Sequence, residues 1–403
     1  MTWTIASLNE LFRVKHGYAF KSQFFSSDGP YVLLTPGSFY EEGGYRDQGD
    51  KTKYYTGDVP TGFVLEEGDL LVAMTEQAPG LLGSSAWIRN SNRFLHNQRL
   101  GKVIDLNESR IDKRFLYYLF NTVSVRSQIS ASASGTKVRH TAPERIGRVK
   151  VPLPPLAAQK WIAATLTSYD ELIENNLRRM TLLEEAARLF YQEWFIRLRF
   201  PGHEHTPIID GLPKGWTRRR LSEVAQVNRA TLRGTFNDDI EYIDISSVTP
   251  ATINETTHYA FRDAPSRARR VVQHGDIIWS CVRPNRRSYA VIWQPPQNLI
   301  ASTGFAVITP IAAPTAFLVQ ATTTAEFVGH IENLARGAAY PAVVAGDFEH
   351  AEIVVPDAHL IGAFNEAAEP MLAQSETLRQ QNHRLRAARD LLLPKLISGE
   401  IAV

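Results

Sequence analysis

The sequence predicts an α+β fold in which two mixed, strand-rich domains are separated by two long antiparallel coiled-coil helices, with a pseudo-twofold internal duplication. Three observations predict this fold. Short segments recur once along the chain at offsets of 202 to 213 residues. Each copy ends in a long helical pattern of apolar residues. Before each helix, short apolar runs alternate with glycine, proline and asparagine, which is typical of strands and turns.

The duplication is visible in three pairs of segments, and a repeat of this length indicates that one module was copied within the chain. The offset shrinks from 213 through 207 to 202 residues, so the second copy is slightly shorter. The matched pairs are WTIASLNELFRV (3–14) with WTRRRLSEVAQV (216–227), EEGDLLVAM (66–74) with QHGDIIWSC (273–281), and SGTKVRHTAPERIGRVKVPLPP (134–155) with RGAAYPAVVAGDFEHAEIVVPD (336–357).

Each copy closes with a coiled-coil seam, in which seam residues are spaced alternately four and three positions apart. The first seam is Ile162, Leu166, Tyr169, Ile173, Asn176, Met180, Leu183, Ala187, Phe190 and Trp194. The second is Phe364, Ala368, Met371, Ser375, Leu378, Asn382, Leu385, Arg389, Leu392 and Leu396. The second seam is weaker because three of its positions are polar. Each seam holds one asparagine, either to fix the register of the pair or as a solvated flaw in a loose helix.

Prolines and glycines set the predicted boundaries. Pro152, Pro154 and Pro155 suit the first turn of a helix, so the first long helix is expected to begin near Leu156 and to end before Pro201. The following segment is rich in proline and glycine and is predicted to be a linker. The predicted parts are a first globular copy at 1–155, a long helix at 156–200, a linker at 201–213, a second globular copy at 214–356 and a long helix at 357–403.

Composition excludes several protein classes. The chain has 403 residues, enough for two or three domains, and its hydrophobic content of 44% rules out wholesale disorder. Its one cysteine, Cys281, excludes an internal disulfide framework and a multi-cysteine zinc site. No apolar run is long enough to span a membrane, so we expect a cytoplasmic protein with no membrane partner. The net charge of +2 does not by itself announce a nucleic-acid partner.

The predicted architecture suits duplex DNA. If two helices of about 40 residues pair, they form a rigid bar roughly 60 Å long. A duplicated module tied to such a bar forms a pseudo-twofold dimer in one polypeptide, and twofold dimers bind two DNA half-sites at a fixed spacing. The two copies have diverged more in their globular parts than at their boundaries. We therefore expect them to recognise two different half-sites.

Five features in order make the chain resemble the specificity (S) subunit of type I restriction-modification systems. They are the duplication, the joint PLPPLAAQKWIAATL, the helix end LFYQEWFIRLRFPGHE, the restart GLPKGWTRRRLSEV and the tail LLLPKLISGEI. The resemblance implies two target-recognition domains that read a bipartite sequence in double-stranded DNA. It also implies that two methyltransferase subunits and the restriction subunits are partners. S-adenosylmethionine, ATP and magnesium are expected on those partner subunits, with no cofactor bound by this chain.

The second globular copy holds the denser basic clusters. Residues 214–300 contain 13 Lys and Arg against 8 Asp and Glu, a surplus larger than that of the whole chain. Guanidinium and amide groups can bind phosphates or base edges, although basic runs are often merely solvated. The candidate DNA-binding residues in this copy are Arg267, Arg269, Arg270, Arg283, Asn285, Arg286, Arg287, Arg336 and Tyr340.

The candidates in the first copy are more scattered. One group surrounds Gly17, where Tyr18 could equally be a core anchor together with Phe20. A second group, residues 75–77, occupies the place of the arginine cluster of the other copy. A third, residues 137–140, follows Gly135, and a fourth, residues 97–99, could equally be the end of a strand. The candidates are Lys15, His16, Tyr18, Lys21, Thr75, Glu76, Gln77, Asn97, Arg99, Lys137, Arg139 and His140, with Gln98 beside Asn97.

Catalytic motifs are absent from the sequence. It has no phosphate-binding GxxxxGK[ST] loop, and the pair His203 and His205 lies in a linker without a third metal ligand. We therefore expect a non-catalytic subunit with no metal site. The alternative from another functional class is a two-headed coiled-coil protein adaptor that does not bind DNA. Such an adaptor would carry exposed apolar patches in place of arginine clusters.

Overall fold

The computed structural model describes residues 3–77, 80–232, 239–338 and 340–401. The chain divides into two compact units. Unit 1 comprises Met1–Glu174 and Asn382–Val403, and unit 2 comprises Asn175–Gln381. These units do not follow the linear boundaries predicted from the sequence, because each unit combines one globular copy with part of both long helices.

Unit 1 contains twelve described strands, three short helices and the first half of a long one. The strands are β1 (Thr4–Ser7), β2 (Arg13–His16), β3 (Phe25–Ser26), β4 (Tyr31–Leu33), β5 (Tyr54–Tyr55), β6 (Leu70–Ala73), β7 (Thr75–Glu76), β8 (Ser85–Trp87), β9 (Phe94–Leu95), β10 (Leu100–Ile104), β11 (Arg139–His140) and β12 (Lys150–Leu153). The helices are α1 (Lys113–Phe120), α2 (Val123–Ala131), α3 (Pro143–Gly147) and α4 (Leu156–Tyr191), which continues into unit 2.

Unit 2 repeats this organisation. Its described strands are β13 (Ile208–Ile209), β14 (Leu212–Pro213), β15 (Thr217–Arg220), β16 (Ala225–Val227), β17 (Asp239–Ile243), β18 (Val248–Thr249), β19 (Thr252–Ile253), β20 (Thr257–Ala260), β21 (Ala268–Val271), β22 (Ile277–Ser280), β23 (Tyr289–Val291), β24 (Leu299–Ser302), β25 (Phe305–Pro310) and β26 (Glu352–Val355). Its helices are α5 (Thr315–Thr323), α6 (Ala325–Leu334), α7 (Ala345–His350) and α8 (Ala358–Ser398), which ends in unit 1.

The sheets confirm the internal duplication. An antiparallel sheet of order β2-β10-β6-β8 in unit 1 corresponds to β16-β25-β22-β23 in unit 2. The strand pair β1–β12 corresponds to β15–β26, and the pairs Thr4↔Leu153 and Thr217↔Val355 reproduce the sequence offsets of 213 and 202. The second sheets differ at their edges: the order is β3-β5-β4-β9 in unit 1 and β20-β17-β24-β21 in unit 2.

The turn before the central strand is built alike in both units. Gly68 and Gly275 have positive φ values of 85° and 86°, which glycine adopts without steric cost. The aspartate that follows each glycine accepts a hydrogen bond from a backbone N–H three residues earlier, from Glu66 to Asp69 and from Gln273 to Asp276. The repeated Gly-Asp pair therefore marks one turn made twice.

The two long helices run antiparallel within each unit. In unit 1 the Asn382 amide donates to the Ile173 carbonyl at 3.2 Å, and Arg389 pairs with Asp170. The contact positions go from 173 back to 170 in α4 while they go from 382 forward to 389 in α8, so the two helices run in opposite directions. In unit 2 the rings of Phe190 and Phe364 stack with centroids 5.1 Å apart. Every predicted seam residue, polar ones included, is buried or half-buried.

Apolar cores join each globular copy to its helix segments. In unit 1, Ile162, Leu166, Leu396 and Ile397 belong to the same buried cluster as the strands and helices of the first copy. In unit 2, Tyr191 and Phe364 belong to the corresponding cluster. The long helices are therefore part of the globular cores as well as a pair.

Pro370 lies inside α8 without ending the helix. Proline cannot donate to the carbonyl four residues earlier, here that of Glu366. Both residues are exposed, so water can satisfy that carbonyl. Within the described ranges, no helix is both long enough and apolar enough to cross a membrane.

Candidate nucleic-acid interface

Two candidate groups of the first copy meet in one small ladder. Strand β7 pairs with β11 in antiparallel register, with Arg139 opposite Glu76 and His140 opposite Thr75. An isolated bridge also joins Ser134 to His140. Residues 75–77 and 134–140 thus form a two-loop platform, which we call platform 1.

Platform 1 turns Glu76 inward. Its side chain is 4% exposed, and its carboxylate accepts hydrogen bonds from the backbone N–H groups of Gly80, Leu81 and Leu82 at 2.9 to 3.1 Å. Arg139 adds an ion pair at 3.1 Å. Because these donors occupy the carboxylate, the structure does not offer Glu76 to a base edge. Glu76 instead holds the loop together.

The neighbouring candidates divide into buried and exposed groups. Thr75 is buried, and its hydroxyl lies 3.2 Å from Nδ1 of His140. Gln77, Lys137 and His140 are exposed, so they are the platform 1 candidates that can reach a ligand from this loop pair.

Gly135 allows the second loop of platform 1 to turn sharply. It has φ +99°, and a Cβ placed there would lie 2.1 Å from the Val138 carbonyl oxygen. Only a residue without a side chain fits such a close backbone approach. Gly337 occupies the same place in the second copy, with φ +103°.

The group around Gly17 is also formed by a close backbone approach. A Cβ at Gly17 would lie 2.0 Å from the carbonyl oxygen of Asn97, and the next residue, Tyr18, forms a parallel bridge with Asn97. The structure thereby brings together two candidate segments that are far apart in sequence. The Asn97 side chain is buried, and its Oδ1 accepts from the Arg99 backbone N–H.

The side chains around Gly17 divide between packing and exposure. Phe20 is buried, as the alternative interpretation of this segment expected, whereas Tyr18 packs on it and remains 36% exposed. Lys15 is tied to the Gly62 carbonyl at 2.9 Å and lies over the Phe63 ring. The exposed candidates of this group are His16, Lys21 and Arg99.

The second copy builds an equivalent platform from different side chains. Isolated bridges join Val282 to Ala342 and Arg336 to Ala342, at the places of the Thr75–His140 and Ser134–His140 bridges. We call residues 282–287, 336–338 and 340–342 platform 2. Its exposed candidates are Asn285, Arg286, Arg336 and Tyr340.

The first loop of platform 2 is the arginine turn, residues 283–287. A single 3-10 turn, Pro284–Arg286, is flanked by Arg283 and Arg287, which both have left-handed backbones with φ 51° and 52°. The Arg283 guanidinium carbon lies 4.7 Å from the centroid of the Tyr340 ring, a cation–π contact. Arg287 is half-buried and donates to the Thr323 carbonyl at 3.2 Å.

The other basic cluster of the second copy is more involved in packing. Arg269 lies over the Phe261 ring and donates to the Ala268 carbonyl, and Arg270 donates to the Thr231 hydroxyl. Arg267 is exposed and lies 3.7 Å from Asp244. Arg267 is therefore the member of this cluster most available to a ligand.

Three comparisons relate this chain to known proteins. Residues 1–185 match the family model of the type I restriction modification DNA specificity domain. The chain is 23% identical over 341 residues to the type I restriction enzyme MjaIX specificity subunit of Methanocaldococcus jannaschii, covering 82% of this chain and 78% of that protein. It is 29% identical over 196 residues to the EcoBI specificity subunit of Escherichia coli, covering 47% of this chain and 37% of that protein.

The first 185 residues therefore match the DNA specificity domain of type I restriction-modification systems, and the chain as a whole is similar to specificity subunits of such systems. The fold agrees with that of a solved structure of the family. The crystal structure of the type I restriction-modification system S subunit from M. genitalium superposes with a TM-score of 0.62 at 17% identity, covering 98% of this chain and 96% of that one.

Sequence reasoning missed one cation beside platform 1. Arg145 donates to the Ser132 carbonyl at 2.9 Å and to the Ser134 hydroxyl at 3.1 Å. Its place in the matched segment 134–155 was a sufficient signal, because that segment already held Lys137 and Arg139. His203 and His205 lie in an exposed turn, and within the described ranges no cluster of three or more His, Cys, Asp or Glu could hold a metal ion.

Sequence reasoning also missed two polar networks that join the long helices to the globular copies. In unit 1, Asp170 accepts from the Tyr118 hydroxyl at 2.7 Å and from Arg389 at 2.6 Å. In unit 2, Arg379 donates to Glu184 and to the Thr252 hydroxyl.

The charges in the unit 1 network stabilise one another. Burial and then Asp170 raise the pKa of Tyr118 far above its ordinary value, so the phenol stays a donor. Burial opposes the charged form of Arg389, but Asp170 and Asp390 together outweigh it and the pKa of that guanidinium rises. The signal that could have found this network was the arginine at a seam position.

Proposed function

We propose that this chain reads a bipartite target in double-stranded DNA and positions the methyltransferase and restriction subunits of a type I complex. The observation that supports this most directly is the repeated platform. One backbone arrangement occurs in both copies with different exposed side chains, as expected for two readers of unlike half-sites.

We further propose that the chain is non-catalytic and that the chemistry belongs to its partners, two methyltransferase subunits and the restriction subunits. S-adenosylmethionine, ATP and magnesium would then bind to those partners. The relatives named above are subunits of type I restriction enzymes, which supports this division of labour. A cytoplasmic location, where such a complex meets DNA, is part of the same proposal.

The proposal is tested by the salt dependence of DNA binding. Phosphate contacts release counterions, so the affinity of the assembled methyltransferase complex for its methylated-site duplex should fall linearly with salt on logarithmic axes. Replacing Lys137 or Arg336, one exposed cation from each platform, with glutamine should weaken binding and lower that slope by about one. Affinity would be measured by fluorescence anisotropy across a salt series.

Arg13→Gln is the matched control. Arg13 is an exposed cation paired with Asp105. It lies at the first residue of β2, whereas His16 and Gly17 lie at the far end of that strand. This variant should keep the wild-type slope. A complex whose binding does not change with salt, or whose platform variants behave like the control, contradicts the proposed function.

A further inference from the structure

Resting on the proposed function, we propose that the arginine turn of platform 2 reads a guanine in one half-site. In this proposal Arg286 presents its guanidinium to the base, and the stacked pair Arg283 and Tyr340 positions the turn. The inference concerns base choice and goes beyond the proposal that the chain binds DNA.

The backbone of the turn is held in an unusual conformation. Left-handed conformations are uncommon for residues other than glycine, and here Arg283 and Arg287 both adopt them, on either side of one 3-10 turn. Such strained residues tend to occur at functional sites. This conformation places Asn285 and Arg286 on an exposed turn.

Hydrogen bonds and a cation–π contact hold the arginine turn in place. The Arg283 backbone N–H donates to the Pro341 carbonyl at 2.7 Å, and Arg287 is tied to the Thr323 carbonyl. Arg283 also covers one face of Tyr340, which nevertheless stays 71% exposed. An aromatic ring that is this exposed beside a cation can pack against a ligand.

Arg286 is available for recognition. It is exposed, and within the described part of the chain its guanidinium makes no hydrogen bond or ion pair. Its backbone N–H is bonded to the Arg283 carbonyl, so the base of the side chain is fixed while its end is free.

The first copy has a negative charge at the position of Arg283. At the offset of 207, Arg283 corresponds to Glu76, whose carboxylate is buried and fully engaged. The corresponding first-copy sequence, EQAPG at 76–80, contains no arginine, so a guanine contact of this kind belongs to the half-site read by the second copy.

The geometry of the guanidinium selects the base. Arginine can donate two hydrogen bonds at once to O6 and N7 of guanine in the major groove, and a good bidentate pair discriminates against other bases by roughly tenfold or more. Lysine keeps the positive charge but lacks the planar fork. A lysine at this position should therefore keep phosphate attraction and lose base choice.

The test is methylation mapping with the full chain and its methyltransferase expressed together in cells. The wild-type map first defines the target. Arg286→Lys should then reduce the preference for guanine over other bases at one G·C pair of one half-site by roughly tenfold, leaving the other half-site unchanged. Tyr340→Ala should reduce the same preference, whereas Tyr340→Phe, which keeps the ring, should retain it.

Arg262→Lys is the control, because Arg262 is an exposed arginine outside platform 2 that lies beside Asp263. Thermal unfolding and assembly with the methyltransferase establish that each variant is folded. Unchanged preferences in Arg286→Lys overturn the inference even when the wild-type complex is sequence-specific. A wild-type complex without any sequence preference would instead overturn the proposed function.

Discussion

One aspartate is used differently by the two copies. In unit 1, Asp69 pairs with Lys102 at 2.6 Å. Lys102 lies opposite Leu71, and the second-copy residue in that ladder position is Val307, opposite Ile278. Asp276 consequently lies 1% exposed with one oxygen lacking a hydrogen-bond partner. Burial raises its pKa above the ordinary value for aspartate.

We predict that Asp276→Asn stabilises the protein at neutral and higher pH. A raised folded pKa means that the folded state holds the proton more tightly, so wild-type stability falls as pH rises from about 4 through the folded pKa. The amide can still accept from the Gln273 N–H. The expected gain in the free energy of unfolding is about 1 kcal/mol at pH 8 and less at pH 5. Thermal unfolding of the variant and the wild type at several pH values measures it.

The exposed Asp263 provides the matched comparison. Its side chain lies at the surface beside Arg262, so Asp263→Asn should show no comparable gain with pH. A wild-type protein whose stability relative to Asp276→Asn does not change between pH 5 and pH 8 would contradict the account of a buried, unpaired carboxyl.

The sequence predicted which positions of the two copies correspond, but not which side chains contact one another there. The matched Gly-Asp turns placed Asp276 over Asp69. Recognising Lys102 as the partner of Asp69, and Val307 as the residue in its place, requires knowing that β6 pairs with β10 and β22 with β25. Glu76 shows the same limit. Its correspondence to Arg283 follows from the offset, whereas the three N–H groups and Arg139 that surround it come together only in the folded loops.

At the scale of elements, the helix pair combines an apolar seam with polar links. The alternating spacing predicted which positions would be buried, and even Ser375, Asn382 and Arg389 follow it. What spacing could not predict is that these three bind to Glu184, the Ile173 carbonyl and Asp170. Those partners lie on the other helix, whose register is set by tertiary packing. The residues that looked like weak points are therefore specific contacts.

We predict that Arg389→Leu destabilises the protein although leucine suits the seam. The change leaves the Asp170 carboxylate, 20% exposed, without its cation. Removing one partner of a largely buried pair should cost about 2 kcal/mol. The double variant Asp170→Leu/Arg389→Leu should recover part of that loss, because no unpaired charge remains. A double-mutant cycle from urea unfolding measures the coupling.

Arg386→Leu serves as the control for this cycle, since Arg386 is an exposed arginine on the same helix. Its effect should stay within about 0.5 kcal/mol. Additive losses from the Asp170 and Arg389 variants would mean that the ion pair contributes nothing beyond its separate residues.

At the scale of the whole molecule, the division into units gives the helices a particular role. Each long helix is shared by the two units, and the division falls after Glu174 in α4 and before Asn382 in α8. The helix contacts described above, including those of Asp170 with Arg389 and Glu184 with Arg379, each lie inside one unit. Helix length can therefore be changed at these two places without removing any of those contacts.

We predict that inserting seven residues in each helix, after Glu174 and before Asn382, changes the gap between half-sites. A heptad preserves the phase of the seam and adds about 10.5 Å at 1.5 Å per residue. That length corresponds to about three base pairs of duplex. Methylation mapping should show loss of the wild-type gap, with remaining methylation at sites whose gap is about three base pairs longer. The half-site sequences themselves should not change, because both platforms are intact; retention of the wild-type gap would refute the proposal that the paired helices set it.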